Sequence, residues 1–106
     1  MSEVLVYITC GNEEEARRIG CTLVKERLAA CGNVIGAMKS IYWWQGVVQE
    51  DGEAVLIAKT KRELVDRLCS RAKKLHSYEV PCIVALPVIG GNPDFRQWIE
   101  DETITV

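Results

Sequence analysis

Apolar residues recur with two different periods along this chain, and the alternation between them predicts its elements. Val4 to Thr9 is almost wholly apolar and rich in β-branched residues, which predicts a central strand buried on at least one face. Asn12 then opens a helix with Glu15 as its capping partner, and Ala16, Ile19, Leu23 and the Arg27–Leu28 turn form one apolar stripe. Gly32, after Cys31, predicts the helix stop. From Asn33 to Thr60 the pattern is that of two long strands about the turn Glu50-Asp51-Gly52-Glu53. Thr60 and Glu63 form a second capping box, and Leu64, Leu68, Ala72 and Leu75 mark a second helix. Pro81 blocks its continuation, and Cys82 to Ile89 predicts a fourth strand, at an edge or bulged because Pro87 cannot donate to a ladder. Asn92 caps a last short helix begun by Pro93, with Phe95, Trp98 and Ile99 on its apolar side.

This order predicts an α+β fold: a ferredoxin-like βαββαβ sandwich with an extended β-hairpin and an additional C-terminal helix, one domain over residues 1–106. The strands should lie in the order four, one, three, two. At roughly fifteen residues per arm and about 3.3 Å each, the hairpin would run to some 50 Å, more than a body this size covers. Its middle reads Ile41, Tyr42, Trp43, Trp44, so alternation puts aromatics on both faces. One face can pack under the helices and the other needs a partner, which makes Tyr42, Trp43 and Trp44 candidate interface residues. An aromatic core strand with one half-exposed tryptophan is the alternative.

Charge and cysteine content narrow the function. The formal net charge is −2, and Arg17, Arg18, Lys25 and Arg27 are interleaved with Glu13, Glu14, Glu15 and Glu26, a solvated mixed face and not a nucleic-acid footprint. The first residues lead straight into a strand, without a cleavable apolar run or a spanning segment, so the expectation is a cytoplasmic protein away from membranes. Five cysteines, odd in number and without a CxxC pair, point to free thiols in a reducing compartment.

His76 is the only histidine, and Tyr78 and Glu79 follow it at the junction before the fourth strand. In the expected topology the first strand ends and the fourth begins at one rim. That places Cys10 beside His76, with Cys82 close by and Glu79 completing a set of thiol, imidazole and carboxylate. Sulfur and imidazole nitrogen together favour copper or zinc over magnesium or calcium. The alternative is that Cys10 packs in the core, His76 caps its helix and Glu79 faces water. A Cys/His acyl-transfer pair would need an orienting third group, and none is evident, so no catalytic residue is expected. Stacking aromatics for RNA are also missing, since the central strands carry only Tyr7.

The segments ERLAACGNV (Glu26 to Val34), SIYWWQGVVQEDGEAVLIAKT (Ser40 to Thr60) and HSYEVPCIVALPVIGGNPDFRQW (His76 to Trp98) resemble the CutA family of divalent-cation tolerance proteins. The resemblance implies a homotrimer assembled through the long hairpins, similar to the trimeric signalling proteins of the PII type. It implies no obligatory cofactor and no enzymatic activity, but binding of copper or another divalent metal, with Cys10 and His76 matching the family's ligands. That pattern has a second histidine where Leu75 stands here. A PII-like trimer that binds a small ligand or partner in its inter-subunit clefts is the alternative role.

Overall fold

The computed structural model describes residues 2–105. Its elements are β1 (Glu3–Cys10), α1 (Glu13–Lys25), β2 (Cys31–Trp44), β3 (Val47–Lys61), a short 3-10 turn (Arg62–Leu64), α2 (Val65–Leu75), β4 (Ile83–Pro87) and α3 (Pro93–Glu102). The four strands form one antiparallel sheet in the order β2-β3-β1-β4, as expected from the sequence. Pro87 closes β4 at the sheet's edge, where its missing N–H leaves no ladder partner unsatisfied.

Alternate residues of β1 decide the two faces of the sheet. Val4, Val6, Ile8 and Cys10 are buried under the helices with Leu56 and Ala58 of β3, Ile19 and Leu23 of α1, and Leu68 and Ala72 of α2. Each large side chain buried in this way contributes about 1.5–3 kcal/mol. Leu5, Tyr7 and Thr9 point to the opposite face, where α3 covers the end beside Leu5 and Lys59 and Val84 and Leu86 are about half exposed.

Three local expectations are corrected. Helix α1 stops at Lys25, not at Gly32: Arg27 takes the left-handed conformation (φ 58°), and the N–H groups of Leu28 and Ala29 both donate to Leu23 O. Gly32 is instead a strand residue, where a Cβ would stand 3.0 Å from Leu56 Cδ1. The hairpin turns at Gln45–Gly46, not at Asp51–Gly52. Both turn residues have positive φ (51° and 78°), the requirement of a type I′ turn that follows strand twist. Asp51 and Gly52 lie within β3, opposite Ser40 and Lys39. Finally, Thr60 caps nothing. Its hydroxyl donates to Leu28 O at 2.7 Å, deep in the interior, and the turn after Lys61 has no side-chain cap.

The two arms of the hairpin have 14 and 15 residues, and the long axis of the molecule is 44 Å. Between Ile35 and Met38 the register shifts and Ala37 takes φ 56°, a bulge that bends and twists the ribbon away from the body. Beyond it the aromatics divide as the sequence predicts, on both faces. Tyr42, Trp43 and Trp44 are 39, 74 and 46% exposed in the single chain.

The last helix is held by an unusual clasp. Glu3 is buried at the start of β1 and accepts from Arg96 Nε at 2.6 Å. Glu100, one turn further along α3, is held above the ordinary carboxylate range by its contact with Glu3 and then by burial, and its buried Oε2 has no other partner. Asn92 caps this helix by accepting from Asp94 N at 3.0 Å, as expected, and Ile99 is its buried face, but Phe95 and Trp98 remain partly exposed.

Candidate functional site

Strand β1 delivers Cys10 to the rim of the sheet, and the end of α2 delivers His76 to the same rim. A third ligand type stands between them, and it is Glu15. One candidate ligand atom each from Cys10, Glu15 and His76 lies within 4.8 Å of the others. Among the described residues this is the sole such group of three or more metal-ligating side chains.

Glu15 reaches this position because it closes the capping box of α1. Its backbone N–H donates to Asn12 Oδ1 (2.8 Å), while its own Oε1 accepts from Gly11 N–H (2.8 Å). The other oxygen accepts from Ser77 N–H at 2.8 Å, tying α1 to the loop that follows α2. Burial raises the Glu15 carboxyl, yet the hydrogen bonds from Ser77 and Gly11 outweigh it and hold the group below the ordinary carboxylate range. A negative charge is therefore fixed next to the thiol and the imidazole.

His76, 9% exposed, is fixed from both sides of its ring. Nδ1 accepts from Tyr78 N–H (3.0 Å), so the ring proton sits on Nε2, which donates to Thr9 O at 2.7 Å. The ring thus links the end of β1 to the lead-in of β4. Cys10 is fully buried, and its thiol is pushed up to about 12 by burial and then by the charges of Glu15 and Glu53. In this state the thiol is protonated at neutral pH, and a metal would have to displace that proton and one of the ring's backbone partners.

Of the residues expected at this rim, Cys10 and His76 meet. Glu79 does not join them: it lines an open cavity of about 490 Å³ beside the distal hairpin. Cys82 lines the same cavity and is exposed. The expectation that it stands near Cys10 fails on strand alternation. Cys82 O accepts from Thr9 N–H, so Cys82 faces Thr9, and its side chain leaves the sheet on the side opposite Cys10. Glu15 was hidden in the sequence by its double use, since a capping glutamate already has a sufficient structural reason to be there. Its place in the first turn of α1, five residues after Cys10, was the available signal.

Comparison with known proteins follows the same outline. Residues 4–102 match the family described as CutA1 divalent ion tolerance protein. The chain is 48% identical over 101 residues to the divalent-cation tolerance protein CutA of Thermus thermophilus, covering 95% of this chain and 98% of that one. It is 41% identical over 100 residues to Protein CutA 1, chloroplastic, of Oryza sativa, covering 94% of this chain but only 56% of the rice protein. The chain therefore spans little more than half the length of that relative. The crystal structure of CutA1 from Oryza sativa superposes with a TM-score of 0.96 at 39% identity, covering 100% of this chain and 97% of that one.

Proposed function

This chain belongs to the CutA1 divalent ion tolerance family, and on that premise we propose that it confers divalent-cation tolerance by binding copper or a similar divalent metal at the Cys10 rim. The observation that carries this reading is the convergence of thiol, carboxylate and imidazole within 4.8 Å. Thiolate and imidazole suit copper, and Glu15 supplies the oxygen ligand that the sequence assigned to Glu79. The three side chains come from β1, α1 and the end of α2, so a metal held there would tie three elements of the fold together. No step of bond making or breaking is needed for this role, and we assign no catalytic residue.

The functional unit is a homotrimer. Its support is the part of the outer sheet face that α3 leaves uncovered, with Tyr7, Val84 and Leu86, together with the half-exposed aromatics of a hairpin that leaves the body. Five free thiols fit a reducing compartment, and we place the protein in the cytoplasm. Among the described residues no helix is long and apolar enough to cross a membrane.

Copper titration of the reduced protein tests the metal reading. Wild type is expected to bind with modest affinity, since binding must displace the Cys10 proton and a contact of His76. Cys10→Ser and His76→Ala should each weaken binding by roughly tenfold or more, as loss of a ligand does. Affinity should also fall as pH falls, by up to about tenfold per unit for the one proton released from Cys10. Equal affinity in wild type and both variants would sink the assignment.

A further inference from the structure

We propose that Tyr78 is a latch that reports whether the metal site is filled, closed on His76 in the empty protein and released when the imidazole takes up a metal. The inference rests on the metal reading above and adds a moving part to it. Three contacts hold the residue. Its N–H donates to His76 Nδ1 (3.0 Å), its ring centroid lies 4.8 Å from that of the imidazole, and its hydroxyl donates to Glu53 Oε2 (2.6 Å). All are made within one chain, and none involves Tyr42, Trp43 or Trp44.

The first of these contacts cannot survive coordination. A neutral imidazole has a single lone pair for a partner. In the empty site it belongs to Nδ1 and Tyr78 N–H uses it, while Nε2 carries the proton given to Thr9 O (2.7 Å). Coordination through Nδ1 takes the lone pair from Tyr78 and leaves the Thr9 bond intact, the common arrangement of a ligating histidine whose other nitrogen donates to a carbonyl. Coordination through Nε2 would move the proton to Nδ1 and set two N–H groups against each other. Either way the Tyr78 N–H loses its acceptor. Its neighbour does not: Ser77 N–H donates to Glu15 Oε2 (2.8 Å), and a carboxylate oxygen keeps a second lone pair for a metal. The chain is thus pinned at Ser77 and freed at Tyr78. A part-buried N–H without a partner is costly, so the segment turns toward water and draws the hydroxyl off Glu53. Glu53 faces Met38 at the end of the bulge, so the release is felt at the root of the hairpin.

Zinc is diamagnetic and also suits thiolate and imidazole, so the test is zinc binding to the reduced protein, followed by NMR and calorimetry. Saturation with zinc should speed hydrogen exchange at the Tyr78 amide at least tenfold while the Ser77 amide stays protected. A bond that stabilises only the empty state opposes binding, so by linkage Tyr78→Phe should tighten zinc by about fivefold or more. The same gain is expected when Tyr78→Phe is added to Glu53→Gln, whose amide oxygen still accepts from Tyr78 but carries no charge. Unchanged affinity in Tyr78→Phe would mark a purely structural bond, and weaker binding a residue that positions His76. Either result overturns the latch, as does a Tyr78 amide that stays protected in the filled site. Zinc affinity that is equal in wild type and Cys10→Ser would instead remove the metal reading, and the latch with it.

Discussion

Replacing Trp43 and Trp44 together with serine should dissolve the proposed trimer. The two side chains sit on opposite faces of a ribbon that leaves the body after the Ala37 bulge, and the single chain leaves them 74 and 46% exposed. Aromatics of this size act as interface anchors, and truncating a buried anchor commonly costs about 2 kcal/mol or more. The double variant loses two anchors in every protomer, so the loss is repeated around the ring. Light scattering and sedimentation at micromolar concentration should report smaller species and a lower melting temperature. A variant that keeps both its mass and its melting temperature would show that the assembly, if it forms, is built elsewhere.

The second large effect is expected at the clasp of α3. The Glu3 side chain is fully buried, and Arg96, itself only 18% exposed, is its cationic partner. Arg96→Met keeps much of the volume but leaves the buried carboxylate without a cation, facing Glu100 and the Ser2 N–H. Breaking a buried pair in this way typically costs about 3–5 kcal/mol. Chemical denaturation at neutral pH measures it, and a loss below about 1 kcal/mol, the level of a surface pair, would refute the clasp.

The same clasp predicts a pH profile. Burial pushes the Glu3 carboxyl up, but hydrogen bonds with Glu100, Arg96 and Ser2 bring it below the ordinary range. Its contribution is therefore present above the unfolded carboxyl value, about 4.3, and is lost as pH falls through the lower folded value. Glu100 is shifted the other way, by its bond to Glu3 and then by burial; Lys61 opposes that shift and Glu63 adds to it. Its contribution is complete below the unfolded value and fades as pH rises through the raised one. Glu100→Gln keeps a neutral donor toward Glu3 at every pH, so it should remove the decline on the alkaline side while leaving the acid side in place.

The sequence exposed most of the architecture because each element carries two independent signals. Asn12 with the Ala16–Ile19–Leu23 stripe, and Asn92 with Pro93, both give a cap and a periodic face. What failed were places where a residue has a strong local habit that the sheet overrides. Asp51-Gly52 is a ready turn former, but Val55 to Lys59 must pair with Ile35 to Cys31, and that register carries the dipeptide into mid-strand. Arg27 in the left-handed region has no sequence signature at all. The candidate site followed the same logic. Cys10 and His76 were legible from strand direction alone, whereas choosing Glu15 over Glu79 required knowing which face of each element is turned inward.

Strand alternation at the rim also has a redox consequence. Cys10 and Cys82 belong to neighbouring strands, yet their Cβ vectors diverge on either side of the sheet. Two cysteines so oriented cannot be joined without moving backbone. Oxidants can reach the exposed Cys82 thiol without drawing Cys10 into a disulfide with it, so the sheet itself keeps the Cys10 sulfur free while its neighbour is attacked.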